Sequence, residues 1–557
     1  MSPVSELHGD AATWLQRAIE LHQGGQLGPA QALYQQVLQL EPSQPDALHL
    51  LGLIEHQLGH SELGVQLIEQ ALLIRPDDAT YRFNLGNIWL ELKQYQHAAA
   101  CYQNVIDIQP QAIQAHDGLA AALRATGQTT KAQRCEQHSA RLRRETAGQL
   151  MQQGGQLFEQ GQPAEAAECF RQATMFRPDF AEAHFNLATV LQVMDRLDEA
   201  AQTYQRALSI KPAYPEALCN LGRVQKLQGQ LDMAAASYRQ ALALDARLVQ
   251  AHNNLGNILL LKGDIAEAAL CFRQALKLQS DYAEAHSNLL FALQYLNTCS
   301  PVELFHEHQR YAANFEAKIP RYRNASTGTA KLSRRLKIGY VSGDFFSHAV
   351  AHFAEPILRH HDKAQFEIFS YYNNYTQDAW TDRIICAVDH WFVCHSLSDD
   401  QLAERIRADG IDILVDLSGH TAFNRLLVFA RKPAPVQVTW IGYPGSTGLT
   451  AIDYRISDPW QDPPGLTERY HSETLVRLPS GMAFEPDPAS PPVNPLPALQ
   501  GERLMLACLN SLSKVNPAVI ALWSRILHAL PHARLMLGNA GEDDVRARLL
   551  GLFAQHQ

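Results

Sequence analysis

The fold is decided by a stretch in which apolar residues recur at helical spacing, Glu182-Ala-His-Phe-Asn-Leu-Ala-Thr-Val-Leu191. Its Leu187 belongs to a series of leucines whose spacing is 34 residues or twice that number. The series consists of Leu51, Leu85, Leu119, Leu187, Leu221, Leu255 and Leu289, and the skipped position is Gln153. A fixed period of this length predicts an array of repeated helix pairs.

Three further series keep the same period. The glycines Gly25, Gly59, Gly127, Gly161, Gly229 and Gly263 would let the chain reverse between two antiparallel helices. The aromatic residues Tyr34, Tyr102, Phe170, Tyr204, Tyr238 and Phe272 would fill the gap between neighbouring pairs. The prolines Pro42, Pro76, Pro110, Pro178 and Pro212 would end each second helix. Together these series predict about eight units before Asn297, with one degenerate unit around residues 141–160.

A fifth series consists of asparagines that immediately precede repeat leucines. Its members are Asn84, Asn186, Asn220, Asn254 and Asn288. On stacked first helices these side chains would share one face and form a ladder. An amide both donates and accepts hydrogen bonds, so the ladder could hold the backbone of an extended peptide without reading its sequence. The alternative is that each amide bonds a neighbouring helix end.

The second half of the chain has a different pattern. From about Lys337, short apolar runs end at Gly, Asp or Asn and alternate with helical stretches, which is typical of a parallel α/β sheet. The predicted strands are residues 337–342, 366–372, 411–417 and 436–441. After a proline-rich stretch at 486–497, a strand at 504–509, a helix from Pro517, a strand near 533–537 and a last helix predict the start of a second lobe.

Composition excludes several classes of protein. The chain has 557 residues, of which 46% are hydrophobic and 19% charged, so it predicts an ordinary globular protein with at least two domains. A net charge of -10 argues against a nucleic-acid partner. No signal-like or membrane-spanning apolar run occurs, and we therefore expect a cytoplasmic protein without a membrane partner. The nine cysteines include no CxxC pair, which argues against a zinc site.

The repeats resemble tetratricopeptide repeats, and three later phrases resemble one enzyme family. These are Lys337-Ile-Gly-Tyr-Val-Ser-Gly-Asp-Phe-Phe-Ser-His, Asp409-Gly-Ile-Asp-Ile-Leu-Val-Asp-Leu-Ser-Gly-His-Thr and Pro435-Val-Gln-Val-Thr-Trp-Ile-Gly-Tyr-Pro-Gly-Ser-Thr-Gly. They are similar to the catalytic N-lobe of the O-linked N-acetylglucosamine transferases. This resemblance implies a GT-B fold with two Rossmann-like lobes and inverting transfer of N-acetylglucosamine from UDP-GlcNAc to Ser or Thr of a protein. It also implies an asparagine ladder that binds peptides, and we expect no metal or other cofactor.

Two residues are the leading catalytic candidates. His348 follows a predicted strand and precedes a helix, where open α/β sheets bind ligands, and an imidazole suits proton transfer near neutrality. It also matches the base position proposed for the family. Lys514 lies just before a helix that Asn516 would cap and Pro517 would begin, a place that favours phosphate. In the family the matching lysine contacts the donor diphosphate, and Ser511 stands where the family has a glutamine of the nucleotide-sugar site.

Five more residues are candidates for lining the pocket. His420 and Thr421 follow the predicted strand at 411–417. Asp409 and Asp412 lie in the segment where the family has further acid–base or acceptor candidates, although relatives have a histidine at the position of Asp412. His352 would share a helix face with His348, but two ligands without a third do not predict a metal site.

The predicted domains are the repeat solenoid at 11–297, a linker helix region at 298–336, the catalytic N-lobe at 337–485, an interlobe linker at 486–500 and the start of the donor lobe at 501–557. Only 43 residues follow Lys514. A Rossmann-type lobe needs about five or six strands, so we expect the donor lobe to be incomplete and this chain alone to show little or no transfer. Exposed strand edges and repeats both allow self-association. The alternative function is a non-catalytic peptide-binding scaffold with a truncated transferase remnant.

Overall fold

The computed structural model describes residues 10–323, 334–482, 484–486, 490–496, 499, 503–538 and 543–556. The chain divides into two compact units, Met1–Lys211 and Pro212–Gln557. Parts of the predicted linkers at 298–336 and 486–500, and of the predicted lobe at 501–557, lie outside the described residues. The predicted fold class is confirmed, since a helical repeat array is followed by a parallel α/β sheet.

The described part of the first unit is entirely helical. Its helices are α1 (Ala11–Gln23), α2 (Leu27–Leu40), α3 (Pro45–Gln57), α4 (Ser61–Ile74), α5 (Ala79–Glu91), α6 (Tyr95–Ile108), α7 (Ile113–Ala125), α8 (Thr129–Glu159), α9 (Pro163–Phe176), α10 (Ala181–Val193) and α11 (Leu197–Ile210). From α1 to α7, each helix packs on the next one in the chain, as expected of tetratricopeptide repeats.

Between the two helices of a pair, the chain adopts a left-handed backbone conformation. All six glycines of the repeat series have φ between 72° and 94°. Two residues of the same phase are not glycine: Lys93 has a φ of 60° and Asp195 a φ of 58°. The short turn therefore requires this conformation even where a side chain makes it costly.

The degenerate unit is a continuous helix. Helix α8 has 31 residues and joins the second helix of one repeat to the first helix of the next. The repeat position that carries proline elsewhere is Arg144, which leaves the helix free to continue. Proline is not the only stop, because the helix that precedes Ala246 ends at Leu244 without one.

The repeat aromatic residues fill the gaps between helices by lying against small residues. A Cβ atom at Gly86 would come within 2.9 Å of the Tyr102 ring, and one at Gly154 within 2.8 Å of the Phe170 ring. Both rings are buried. Each contact therefore requires a large residue on one helix and glycine on its neighbour, a pairing that the leucine and proline series do not reveal.

The second unit begins with more repeat helices and continues as a sheet domain. Its first helices are α12 (Pro215–Leu227), α13 (Leu231–Leu244), α14 (Val249–Lys262), α15 (Ile265–Leu278), α16 (Ala283–Leu293) and α17 (Pro301–Asn314). The sheet domain comprises β1 (Leu336–Ser342), α18 (Ala349–His360), β2 (Phe366–Tyr372), α19 (Ala379–Ala387), β3 (His390–Val393), α20 (Asp399–Asp409), β4 (Ile413–Asp416), α21 (Leu426–Ala430), β5 (Val436–Thr439), β6 (Tyr454–Ser457) and β7 (Thr474–Arg477).

All seven strands are parallel, in the order β3-β2-β1-β4-β5-β6-β7. The four strands predicted for this region are present. Strands β3, β6 and β7, each of four residues, were not predicted. The order reverses between β1 and β4, so the loops after these two strands diverge and leave a crevice at the carboxyl edge.

Both faces of the sheet are covered by helices. Helices α18 and α19 contribute Val350, Leu358 and Ile384 to the core on one face. The core on the opposite face includes Leu290 of α16 and Tyr311 of α17, together with residues of α20 and α21. The last repeat helices are therefore part of the sheet domain's hydrophobic core.

The end of the chain forms a small parallel sheet. It consists of β8 (Met505–Cys508), α22 (Pro517–Ala529), β9 (Arg534–Leu537) and α23 (Asp543–Ala554), and β8 pairs with β9. Arg548 of α23 donates to the carbonyl oxygens of Lys262 and Gly263 and forms an ion pair with Asp264 at 3.1 Å. These contacts attach α23 to the end of α14.

We expect Lys93→Gly and Asp195→Gly each to raise the free energy of unfolding of the first unit by about 1 kcal/mol, because glycine adopts positive φ without a Cβ clash. Both side chains are exposed, so little packing is lost. Urea unfolding measures the effect. Lys93→Ala is the matched control: it removes the same long side chain but keeps Cβ, and an equal gain in this variant would contradict the explanation.

Candidate active site

The loop after β1 places His348 at the carboxyl edge of the sheet. His348 is the N-cap of α18, and its Nδ1 accepts a hydrogen bond from the Val350 backbone N–H at 3.3 Å. The side chain is 43% exposed, so a substrate can reach it. The edge is where β1 and β4 diverge, and it is the place where open α/β sheets bind ligands.

Asp344 accompanies this histidine. Its Oδ2 lies 3.8 Å from His348 Nδ1, and the residue is 7% exposed. Burial raises the pKa of Asp344, and the nearby His348 opposes that rise. An ionised Asp344 would stabilise the positive charge that His348 gains on accepting a proton. Asp344 was not among the predicted site residues, although it lies four residues before His348.

His348 and Asp344 line a cavity of about 820 Å³ within the second unit. Repeat helices form one wall through Lys226, Asn257, Leu260, Leu261, Ser287, Asn288 and Phe291. The loop after β4 forms the opposite wall through residues that include His420, Thr421, Phe423 and Asn424. The cavity therefore combines a titratable imidazole, a ladder asparagine and apolar surface.

Thr421 and His420 both line this cavity, but His420 is fully buried and links two parts of the structure. His420 is 0% exposed; its Nδ1 lies 3.0 Å from Ser287 Oγ and its Nε2 lies 2.9 Å from the Thr447 carbonyl oxygen. Because a carbonyl only accepts, Nε2 carries the proton and Nδ1 accepts from the serine hydroxyl. Burial, and then the nearby His308, lower the pKa of His420 well below its usual value. His420 therefore joins α16 to the loop after β4 as a neutral imidazole.

A second buried histidine strengthens the same junction. His308 of α17 donates from Nδ1 to the Leu304 carbonyl at 2.8 Å, and its Nε2 accepts from the Tyr443 hydroxyl at 2.9 Å. Gln294 of the chain after α16 also donates to the Tyr443 oxygen, at 3.0 Å. Burial lowers the pKa of His308 to about 4. Sequence periodicity gave no indication of the contacts with Tyr443, because they join residues 135 and 149 positions apart.

Asp416 shapes the loop that carries His420 and Thr421. Its carboxylate accepts from the backbone N–H groups of Ser418 and Gly419 and from Thr439 Oγ1 at 2.8 Å. Burial raises the pKa of Asp416 to about 6, while these hydrogen bonds act in the opposite direction. Because all of its partners are backbone or buried groups, Asp416 positions the loop.

Asp409 and Asp412 lie near the amino ends of the parallel strands, whereas His348 lies near the carboxyl ends. Asp412 precedes β4 and accepts from both terminal nitrogens of Arg334, at 2.7 and 2.8 Å. Asp409 accepts from the Tyr371 hydroxyl at 2.8 Å and from Arg405. Since β1 and β4 are parallel, residues that precede β4 and residues that follow β1 are at opposite strand ends. The structure therefore does not bring either aspartate to the His348 cavity.

His352 lies one turn beyond His348 but lines a different cavity. Its ring centroid is 4.0 Å from that of Trp380, and the Arg383 guanidinium lies 4.2 Å from the same indole ring. Phe484 also lines this cavity, which has a volume of about 820 Å³. His352 therefore belongs to an aromatic and charged cluster on α18 and α19.

Lys514 and Ser511 lie outside the group of described residues that line the His348 cavity. Lys514 is exposed and ends a short 3-10 helix, Leu512–Lys514. Two residues later, Asn516 caps α22 by accepting from the Val519 N–H at 3.0 Å. Ser511 is also exposed, and its Oγ lies 2.7 Å from Ser513 Oγ. The predicted helix N-terminus beside Lys514 is present, while the role of both residues stays a prediction.

The ladder asparagines are all half-buried. In the first unit, Asn84 Nδ2 lies 2.9 Å from His49 Nε2. In the second unit, Asn288 donates to Asn253 Oδ1 at 2.9 Å and also lines the cavity. The partners observed for Asn84 and Asn288 are side chains of neighbouring helices and not helix ends. Peptide binding stays a prediction.

Among the described residues, no three His, Cys, Asp or Glu side chains are grouped so that they could hold a metal ion. No described helix combines the length and the apolar character that a membrane crossing requires.

Acid should weaken the junction formed by His308. An unfolded histidine binds a proton near pH 6.5, whereas folded His308 does so only near pH 4. Protonation therefore favours the unfolded state as the pH falls from about 6.5 to about 4. Above pH 6.5 the contribution of His308 to the free energy of unfolding is fully present. We expect His308 to account for a loss of about 2 kcal/mol in unfolding free energy between pH 7 and pH 5, measured by urea unfolding of the full chain.

His308→Gln should lose less stability than the parent over the same pH range, because the amide has no proton to gain. The exposed His360, at the end of α18, supplies the control variant His360→Gln, which should keep the parent's pH dependence. An unchanged loss in His308→Gln would contradict the assignment.

Comparison with known proteins agrees with this architecture. Residues 317–485 match the model of glycosyl transferase family 41, and tetratricopeptide models match residues 57–113, 154–195, 194–229, 223–263 and 249–282. A probable UDP-N-acetylglucosamine–peptide N-acetylglucosaminyltransferase SPINDLY of Petunia hybrida is 40% identical over 273 residues, or 48% of this chain and 29% of the relative. The corresponding SEC protein of Arabidopsis thaliana is 35% identical over 216 residues, or 37% of this chain and 22% of the relative.

The alignments thus span less than a third of these curated relatives. A solved structure is matched over a larger share of its length. A mutant O-GlcNAc transferase of Thermobaculum terrenum has a TM-score of 0.62 and 35% identity, over 68% of this chain and 72% of that chain. The chain belongs to the O-linked N-acetylglucosamine transferase family.

Proposed function

We propose that this chain acts in the transfer of N-acetylglucosamine from UDP-GlcNAc to Ser or Thr hydroxyls of proteins, with inversion at the anomeric carbon. The observation that carries the proposal is that His348 and the ladder residue Asn288 line the same cavity. The names of the relatives as peptide N-acetylglucosaminyltransferases support it. The donor, the acceptor and a cytoplasmic location are all part of the proposal.

In the proposed reaction, His348 is the base. The acceptor hydroxyl oxygen attacks the anomeric carbon, the bond to the UDP oxygen breaks, and the hydroxyl proton passes to the imidazole. The exposure of His348 and its position at the edge of the sheet support this role. Asp344, 3.8 Å away, would stabilise the imidazolium that forms.

Lys514 is proposed to neutralise the charge that develops on the departing diphosphate. Its exposure and its position just before the N-terminus of α22 support this role, because such a position attracts phosphate. Ser511 would contribute to the same nucleotide-sugar site. Lys514 does not line the cavity of His348, so this role requires the diphosphate to extend from that cavity to the N-terminus of α22.

The asparagine ladder is proposed to bind the acceptor as an extended peptide. Asn288 is half-buried beside the cavity that contains the base, so a peptide on the repeat helices would deliver a hydroxyl to His348. Because amides bond the peptide backbone, the ladder would accept many sequences. We also keep the predicted limits of the domains, 11–297 for the solenoid and 337–485 for the catalytic N-lobe, as proposals.

His348→Ala should lower transfer at least 100-fold, since general base catalysis contributes about 10²–10⁴-fold. The assay follows radiolabelled N-acetylglucosamine from UDP-GlcNAc to serine peptides incubated with the full chain. His360→Ala removes an exposed histidine from the far end of the same helix and should leave the rate unchanged. Absence of labelling by the parent with every acceptor would favour the peptide-binding scaffold instead.

Asn254→Ala and Asn288→Ala should each weaken peptide binding by about three- to tenfold, the effect of one net hydrogen bond. The loss should be similar for peptides of unrelated sequence, because the proposed contact is to the backbone. Fluorescence anisotropy with labelled peptides measures the dissociation constants. Gln240→Ala removes an exposed amide from α13 and serves as the control. A loss confined to one peptide sequence would contradict backbone recognition.

A further inference from the structure

Phe423 has a backbone conformation that its residue type disfavours. It lies in the loop after β4 and has a φ of 57°, in the left-handed region where glycine and asparagine are common and bulky residues are rare. Its side chain is 52% exposed, so burial in the core does not compensate for the conformation. A strained, exposed aromatic residue beside a catalytic cavity suggests a role in binding.

Two neighbours hold Phe423 in this position. Asn373, which follows β2, donates from Nδ2 to the Phe423 carbonyl oxygen at 2.8 Å. Gly343, in the loop that leads to His348, allows the close approach, because a Cβ atom there would lie 2.5 Å from Phe423 Cβ. The loops after three adjacent strands thus fix the aromatic residue next to the segment that carries the base.

The cavity of His348 has apolar side chains on both of its walls. Leu261 of α14 and Phe291 of α16 lie on the wall formed by the repeat helices, Phe423 lies on the opposite wall, and Leu261 is 55% exposed. Phe291 lies three residues after Asn288 on α16, so both side chains share a helix face. The apolar side chains of the repeat wall are therefore next to the ladder residue that lines the cavity.

We propose that Phe423, Phe291 and Leu261 form an apolar subsite that selects acceptor segments with an apolar side chain close to the hydroxyl-bearing residue. The occupant is a peptide side chain because two of the three residues come from the repeat helices, beside Asn288. The inference rests on the proposed function. It adds side-chain selection to a ladder that by itself would hold any backbone.

Apolar contacts of this kind discriminate between side chains modestly. Burying one additional apolar group changes affinity by roughly 10-fold or more. A peptide with leucine near the acceptor serine should therefore bind about tenfold more tightly than a peptide with serine at the same position. The preference should depend on Phe423, because its exposed ring supplies contact area.

The test uses the full chain and fluorescein-labelled serine peptides. Leu and Ser are compared at each of the two positions before and the two positions after the acceptor serine, one position at a time. Fluorescence anisotropy gives the dissociation constants. We expect a preference of about tenfold for leucine at one position or more in the parent. Phe423→Asn, which suits the left-handed backbone, should reduce that preference to within about twofold without weakening the serine-flanked peptides.

Leu261→Ser provides an independent variant, because it removes a half-exposed residue from the other wall of the cavity. It should also reduce the leucine preference. Peptides that bind the parent without any preference would overturn the subsite and leave the proposed transfer intact. A Phe423→Asn variant that alters affinity for UDP-GlcNAc and keeps the leucine preference would assign the ring to the donor and also overturn it. Transfer that fails in the parent although the leucine preference is present would count against the proposed function alone.

Discussion

The hydrogen bonds of His420 join the last repeat helices to the sheet, and the geometry of the cavity depends on this junction. Its imidazole accepts from Ser287 of α16 and donates to the Thr447 carbonyl. Thr447 is in turn held by the buried Glu473, which accepts from its backbone N–H at 2.7 Å. A neutral imidazole satisfies both nitrogens in this buried position, whereas a charged one would pay the cost of desolvation. One wall of the cavity is therefore fixed relative to the other by these buried hydrogen bonds.

The position of His348 follows from the strand order of the sheet. The reversal between β1 and β4 separates the two loops that line the cavity, and the helices α16 and α17 cover the face of the sheet beside it. Asp416 closes the loop after β4 through backbone N–H groups, and Gly343 lets the loop after β1 pass close to Phe423. The exposed imidazole is thus carried by a framework of buried contacts, which is the arrangement that the proposed base requires.

Local sequence patterns predicted the elements well and the site only in part. The 34-residue period indicated the helix pairs, because each repeat buries the same face. The geometry of the helix pair requires a left-handed backbone conformation at one residue of each turn. Lys93 and Asp195 adopt that conformation although their residue types do not favour it. Strands β3, β6 and β7 were missed because parallel pairing, which sequence alternation does not record, stabilises their short mixed segments.

For the site, the sequence identified residues near strand ends, but these residues are not all at the same end of the strands. His348 and Thr421 follow β1 and β4 and share a cavity, whereas Asp409 and Asp412 precede β4 and are held by Arg405 and Arg334. The contacts of His308 and Tyr443 join distant positions, and no local pattern contains them. The left-handed backbone of Phe423 could not be predicted either, because phenylalanine normally has a negative φ.

The asparagine ladder of the first unit is interrupted for a packing reason. The positions equivalent to Asn84 in the next two repeats are Gly118 and Gln152. A Cβ atom at Gly118 would lie 2.5 Å from the Tyr102 ring, whose hydroxyl donates to Asn87 at 2.7 Å, so an asparagine at 118 would displace a buried aromatic residue. Gln152 lies within the continuous helix α8, where the usual break between repeats is absent. In this part of the solenoid, the core contacts of the repeat aromatic residue have therefore taken precedence over the amide that would contact a peptide, which separates Asn84 from Asn186 as a binding position.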